Sequence, residues 1–589
     1  GSRNVWRDSK AMFELLRRYL GPYRARAITG MLAKVIEVVF DLITPLVIAR
    51  MVDEGVGAHD VGVVLRYGAL LACFALVGYG STLVCQKMAA LVAQGMGTDL
   101  RHDLMEKSMG LSQAEVDRFG SNSLVTRTIN DVNQVQLAVA MGIRQLMRFP
   151  ILGMGSVVAA LLIDLRLGLV FLLCVPAISV VFALVMAKSV PFFRLMQERL
   201  DQISRITREA LSGVRVIRAF GQEEHETRRF RAASEEQTQV AIAVGRLSAV
   251  LSPSTLLVMN LGVVAILWTG ALQIQVGALT QGQVMAFVNY MGQTLIAIIY
   301  VANLVVLFNR GSASAQRVME VLDVAISVTD AGTSERTVAA DAPALALRHV
   351  SFSYAGAPLP SLSEVTLTLR RGETLGVIGG TGSGKSTLVN LLPRLYDATH
   401  GSVGVLGHDV RSYPLAQLRH LVSVVPQRAS LVSGTIRSNL TWRKADATDD
   451  ELWQALEAAQ ASDFVRQMPQ GLDGRVEAGG KNFSGGQRQR LTIARALVGA
   501  PSIVVLDDSA SALDFKTDAR LRHALHDLAG GVTSVIVSQR VSAVMRADQI
   551  LVLDHGHVAG LGTHRALLGG CGLYREICLS QLSKEEVGG

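Results

Sequence analysis

The chain is short of cysteine, of aromatic residues and of charge. Its five cysteines, Cys73, Cys85, Cys174, Cys571 and Cys578, include no C-x-x-C pair. That argues against a disulfide framework or a thiolate metal site and leaves them as small buried hydrophobes. Charged residues make up only 18% of the chain. A soluble domain carries nearer a quarter, so a wholly water-soluble protein is not expected. Neither internal repeats nor low-complexity tracts are visible. A cleavable leader is not expected either, because polar and basic residues precede the first apolar run.

What is present is hydrophobic, at 50% of 589 residues, and the excess is local. Apolar stretches long enough to cross a bilayer, roughly 20 residues, crowd the first 310 positions. Six spans are expected, near 26–52, 63–93, 145–163, 167–188, 247–272 and 283–308. Before them, Phe13, Leu15, Leu16 and Leu20 lie on one side of a stretch flanked by Arg17, Arg18, Arg24 and Arg26. That pattern suits a helix lying in the membrane interface. The net charge of +8 does not point to nucleic acid. Arg205, Arg208, Arg215, Arg218, Arg228 and Arg229 cluster in one of two long loops, 94–144 and 189–246, while the short loops carry one basic residue, Arg166. By the positive-inside rule the basic side is cytoplasmic, and so are both termini.

Ionisable residues at membrane depth also stand out. Lys34, Glu37 and Asp41 share one helical face, and Arg144 and Arg148 are four apart. Such groups face a bundle interior or a wet cavity. A salt-bridge set near the interface and a substrate vestibule, further lined by Asn289, Gln293, Asn303 and Asn309, both fit.

The expected layout is a tail and interfacial helix over 1–25, a six-span α-helical membrane domain over 26–312, and the end of the last helix plus a polar linker over 313–344. An α/β nucleotide-binding domain over 345–582 and a tail over 583–589 complete it. The chemistry lies in the fourth part. Gly379-Gly380-Thr381-Gly382-Ser383-Gly384-Lys385-Ser386 fits the phosphate loop G-x-x-x-x-G-K-[ST]. Glycines let backbone N–H groups wrap phosphates, and the following helix adds its positive end. Lys385 reaches the terminal phosphates of ATP, the Ser386 hydroxyl ligates Mg²⁺, and Thr387 is a further hydroxyl. Ile503 to Asp508 reads as a buried strand ending in two acids, of which Asp507 would hold the metal through water.

Phe483-Ser484-Gly485-Gly486-Gln487 lies between these strings. The ordered set of phosphate loop, S-G-G-Q and acid-ended strand resembles the ABC transporters, and six spans followed by one such domain resembles an exporter half-transporter. The resemblance implies further roles. Tyr354 would stack on adenine. Gln427 would contact Mg²⁺. Ser484, Gly485, Gly486 and Gln487 would grip the ATP bound by an opposing domain, with Phe483 replacing the commoner leucine. Ser511 and Asp514, in Ser511-Ala512-Leu513-Asp514, would signal between the two sites, and the strings 119–131 and 213–224 resemble coupling helices.

Two positions depart from the family pattern. Asp508 stands where a catalytic glutamate is usual, and Gln539 where a switch histidine is usual. Aspartate is one methylene short, and misplacement by about 1 Å costs on the order of a hundredfold in rate. Glutamine cannot carry the positive charge of histidine. The pair resembles the degenerate member of heterodimeric bacterial multidrug exporters of the inner membrane. It implies a second, different half with the consensus glutamate, contact with membrane lipids and an amphipathic small-molecule cargo. A lipid flippase, an exporter-like siderophore importer and an ATP-gated channel or regulatory subunit remain alternatives.

Overall fold

The computed structural model describes residues 2–330, 335–339, 341–509, 515–527 and 532–582. The chain divides into two compact units. One comprises Gly1–Met109 and Asn122–Val324, the other Gly110–Ser121 and Ala325–Gly589.

The first unit is helical. Among the described residues five helical stretches are long and apolar enough to cross a membrane: Val61–Gly110, Ser121–Ile163, Leu165–Ser212, Glu223–Gln275 and Gln281–Leu322. The expected first span forms a helix, Arg24–Arg50, but is not among the five. Every 18-residue window of that helix contains Lys34, Glu37 and Asp41, one charge too many for an apolar span. The helices also outrun the expected spans. Glu223–Gln275 has 53 residues, which at 1.5 Å per residue is about 80 Å, against a hydrocarbon core of about 30 Å. The arginine-rich loops, helical in pattern and expected to extend the membrane helices, do so, with breaks on either side of the short helices Gln113–Phe119 and Val214–Ala219.

Apolar side chains on two sides explain the packing. Phe171, Ile266, Phe287 and Tyr290 are fully buried between helices. Trp268 and Leu173 point outward, as lipid-facing side chains do. Cys73 is exposed too, contrary to the expectation of burial, because its helix Val61–Gly110 turns its apolar window outward. Gly282 shows why a small residue is needed at a contact: a Cβ there would strike the Ala49 carbonyl. Its N–H instead donates to Asp53 Oδ1 at 2.8 Å.

Of the five charges at membrane depth, Lys34, Glu37, Asp41 and Arg148 form a network that, among the described residues, does not include Arg144. Glu37 accepts from Lys34 Nζ and from Thr82 Oγ1, each at 2.5 Å, and from Arg148 Nη1. Arg148 Nη2 reaches Asp41 Oδ2 at 3.2 Å. Lys34 and Glu37 are buried, and a carboxylate satisfied by three donors is how a buried charge becomes tolerable. The salt-bridge reading fits this arrangement.

The second unit centres on a six-stranded sheet. Five strands run parallel in the order Val422–Val425, Ile503–Asp507, Thr533–Val537, Thr374–Gly379, Gln549–Asp554, and His557–Gly562 closes one edge antiparallel. Both faces are covered, so the strands are runs of β-branched and leucine residues rather than alternations. Val504, Leu506 and Ile536 point into one core, and Ile503, Val505 and Val535 into the other. A four-stranded sheet, in the order Leu362–Leu369, Leu345–Phe352, His400–Val405, His408–Asp409, completes the unit.

The short helix Gln113–Phe119 belongs to this unit although it is distant in sequence. Ser112 and Glu115 form a capping box at its start. Glu115 Oε1 also accepts from the Ser327 N–H at 3.3 Å, and the Ser112 and Ser327 hydroxyls are 2.7 Å apart. Tyr396 donates its phenolic proton to Asp117 Oδ2.

Candidate nucleotide site

Parallel strands place their C-terminal ends along one edge, the usual ligand side of such sheets. Here that edge gathers what the sequence scatters. Thr374–Gly379 leads into the phosphate loop, Ile503–Asp507 ends at the paired acids, Thr533–Val537 leads to Gln539, and Val422–Val425 leads to Gln427. Together with Tyr354 and Ser361 they line a cavity of about 380 Å³ that takes in residues 381–387, Asp507, Asp508 and Gln539.

The loop is shaped by glycine. Gly382 and Gly384 have φ of +77° and +98°, in the left-handed region that glycine alone enters freely. Gly384 also lies under the Ser361 carbonyl, which a Cβ would meet at 2.5 Å. It caps the helix Lys385–Leu391. Lys385 Nζ donates to the Gly379 and Gly380 carbonyls at 2.9 and 2.6 Å and lies 3.3 Å from Ser383 Oγ. Burial lowers its pKa, an effect that Asp508 and Asp507 oppose. The ammonium thus sits over the loop with two carboxylates nearby.

Asp507 is shifted the other way. Burial and the neighbouring Asp508 raise its carboxyl above the usual range, against the Ser386 hydroxyl and Lys385. Two adjacent acids with a hydroxyl and an amide are hard oxygen donors. They suit Mg²⁺, which takes one or two carboxylates plus phosphate oxygens rather than a protein cage. Asp508 adopts φ +45°, a strained setting that aspartate tolerates better than most residues. Its N–H donates to the Val537 carbonyl at 2.8 Å, and Gln427 Nε2 lies 3.4 Å from its Oδ2.

Tyr354 packs edge-on against Tyr396 at 5.4 Å between ring centroids, and its hydroxyl lies 3.2 Å from Thr387 Oγ1. The chain's own Ser484–Gln487 segment is elsewhere. Among the described residues it does not line the cavity, and Ser484 and Gly485 are exposed. Ser484 caps the helix Gly485–Leu497, accepting from the Gln487 N–H at 3.2 Å. Phe483 is buried against the core, 6.4 Å from Phe464, so the larger ring in place of leucine is accommodated. Ser511 and Asp514 lie outside the described residues. Two contributors had no signal of their own in the sequence. Ser361 sits in a turn rich in proline and glycine, and Tyr396 enters only through its contacts.

Comparison with known proteins agrees with this architecture. A family model described as the ABC transporter transmembrane region matches residues 27–299, and one described as ABC transporter matches residues 362–511. The chain belongs to the ABC transporters. It carries a transmembrane region and one ATP-binding domain, the composition of an exporter half-transporter, and is a multi-pass membrane protein. It is 37% identical to an uncharacterized ABC transporter ATP-binding protein of Mycobacterium tuberculosis, over 98% of this chain and 100% of that one. A multidrug efflux ATP-binding/permease protein of the same organism is 32% identical over 95% of this chain and 46% of its own length. An ATP-dependent lipid A-core flippase of Syntrophus aciditrophicus is 30% identical over 85% of this chain and 83% of its own.

Proposed function

We propose that this chain is the degenerate-site subunit of a heterodimeric exporter. The observation that carries the reading is the pairing of Asp508 and Gln539 in one cavity with Lys385 and Asp507. Hydrolysis needs a base or orienting group within hydrogen-bond reach of the attacking water. Both positions facing that reaction hold a weaker group, while every residue needed to bind ATP is present. In this reading ATP binds with Mg²⁺ held by Ser386 and Gln427, and by Asp507 through water. Tyr354 stacks on the base, and turnover at this site is slow.

The exposed Ser484–Gln487 segment then serves a partner whose own site has the consensus glutamate. Helix-end N–H groups grip that partner's γ-phosphate, and Ser511 and Asp514 relay between the sites. Arg24–Arg50 is counted as the first of six spans, its charges neutralised in the Glu37 network. Both termini then lie in the cytoplasm of a bacterial inner membrane. The cargo is an amphipathic small molecule moved out of the cytoplasm or inner leaflet. The efflux relative supports a drug-like compound, and the flippase relative supports a lipid.

The test is turnover of the chain alone in lipid. It should fall far below the ordinary enzymatic range of about 10 per second and rise on adding a half-transporter with the consensus glutamate. Ordinary turnover by the lone chain refutes the heterodimer.

A further inference from the structure

The switch position is held from the far end of the described chain. The helix Gly572–Gln581 ends at a side chain that reaches residues 539–541 with both ends of its amide. Gln581 Nε2 donates to the Gln539 carbonyl at 2.8 Å, and its Oε1 accepts from the Val541 N–H at 2.9 Å. One amide thus spans the peptide groups on either side of Arg540, as a neighbouring strand would. The Val541 N–H is the first of the helix Val541–Val544 and so has no intrahelical acceptor.

The helix bearing Gln581 is a firm support. Tyr574 and Cys578 are fully buried on it, and the Tyr574 hydroxyl lies 2.7 Å from His564 Nδ1. The chain entering the switch is pinned by the sheet. The Ser538 N–H donates to the Val377 carbonyl at 3.0 Å, and the Val537 carbonyl accepts from Asp508. Beyond Ser538 the strand has ended, and the Gln539 side chain must still reach the cavity. A two-point tie fixes both the distance and the rotation of the peptide that carries it.

We infer that Gln581 is a positioning residue for the switch: it sets the backbone of Gln539 and, through it, the contact with the terminal phosphate. The inference rests on the reading that Gln539 faces that phosphate. It predicts a selective defect, because a displaced switch loses ATP and not ADP.

The experiment uses the full chain in lipid nanodiscs with Mg²⁺, titrated with a non-hydrolysable ATP analogue and with ADP. Gln581→Met keeps length and bulk but removes both hydrogen bonds. Affinity for the analogue should fall about tenfold, the loss expected for two neutral hydrogen bonds, with ADP unchanged. Gln581→Glu keeps the acceptor for Val541 but turns a carboxylate oxygen toward the Gln539 carbonyl, so its loss should be at least as large. Gln539→Ala should reproduce the selective loss. Equal losses for both nucleotides, or no change in either variant, overturn the role of Gln581. A Gln539→Ala chain that still separates the analogue from ADP as the parent does overturns the site reading instead.

Discussion

If Asp508 and Gln539 are what slow this site, Asp508→Glu with Gln539→His should speed it. The Asp508 carboxylate lies 3.4 Å from Gln427 Nε2, and one more methylene displaces it by about 1 Å. Recovering a misplacement of that size is worth on the order of a hundredfold. A histidine able to hold a proton contributes on the order of a hundredfold or more as an acid–base group. Both act on one water and one phosphate, so the gains do not multiply. The double variant should exceed the parent by about a thousandfold, more than either single change at about a hundredfold but less than their product. A structural cost accompanies the gain. At φ +45° glutamate lacks the local tolerance of aspartate, which costs about 1 kcal/mol. The assay is phosphate release by the chain alone in lipid, with self-association followed by cross-linking and ATP binding by titration. Unchanged turnover with binding and self-association intact would refute the reasoning and move the slow step to domain closure.

Lys385→Ala should weaken ATP binding by about tenfold to a hundredfold, the worth of a charged hydrogen bond, with little effect on melting, since its present acceptors are loop carbonyls and a loop hydroxyl. In an assembled transporter it should leave partial hydrolysis, whereas Ser484→Ala, which removes the cap of Gly485–Leu497, should nearly abolish it. Equal mild effects in phosphate release would count against the two assignments. The docking of Gln113–Phe119 should be pH-dependent. Burial raises the Glu115 pKa, but hydrogen bonds from Ser112 and Ser327 outweigh it and bring the carboxyl below its ordinary 4.5. A depressed carboxyl stabilises fully above the ordinary value and stops doing so as pH falls through the folded one. Proteolysis of residues 110–121 should therefore accelerate in that acid window, and Glu115→Gln should remove the dependence.

Contiguous chemistry was legible in the sequence. The phosphate loop, S-G-G-Q and the acid-ended strand are each local, and their order narrows the family. The departures at Asp508 and Gln539 were visible for the same reason. Long apolar runs marked the membrane helices, although Lys34, Glu37 and Asp41 keep the first from qualifying by composition. What escaped depends on the tertiary fold. Strand order decides that Gln427, Asp507 and Gln539 share an edge, and only the family resemblance, not any local signal, anticipated their meeting. Gln581 reads as one more polar residue near the end of an amphipathic helix. A capping box at Ser112 and Glu115 looks the same whether its helix docks or not.

That helix has a consequence for how the protein is made. Gly110–Ser121 belongs to a unit whose remainder begins at Ala325. Roughly 200 residues of membrane helices emerge in between, on the order of 10–40 s of synthesis. The early segment must wait, unpaired, for a domain the ribosome has not yet produced. Its polar partners, Ser327 and Tyr396, arrive last. The nucleotide unit therefore builds its cores from Ala344 onward and then captures a segment made long before it. A late domain that fails to fold leaves an early segment open to quality-control proteases, so a cell could detect a fault in residues 325–582 by inspecting residues 110–121.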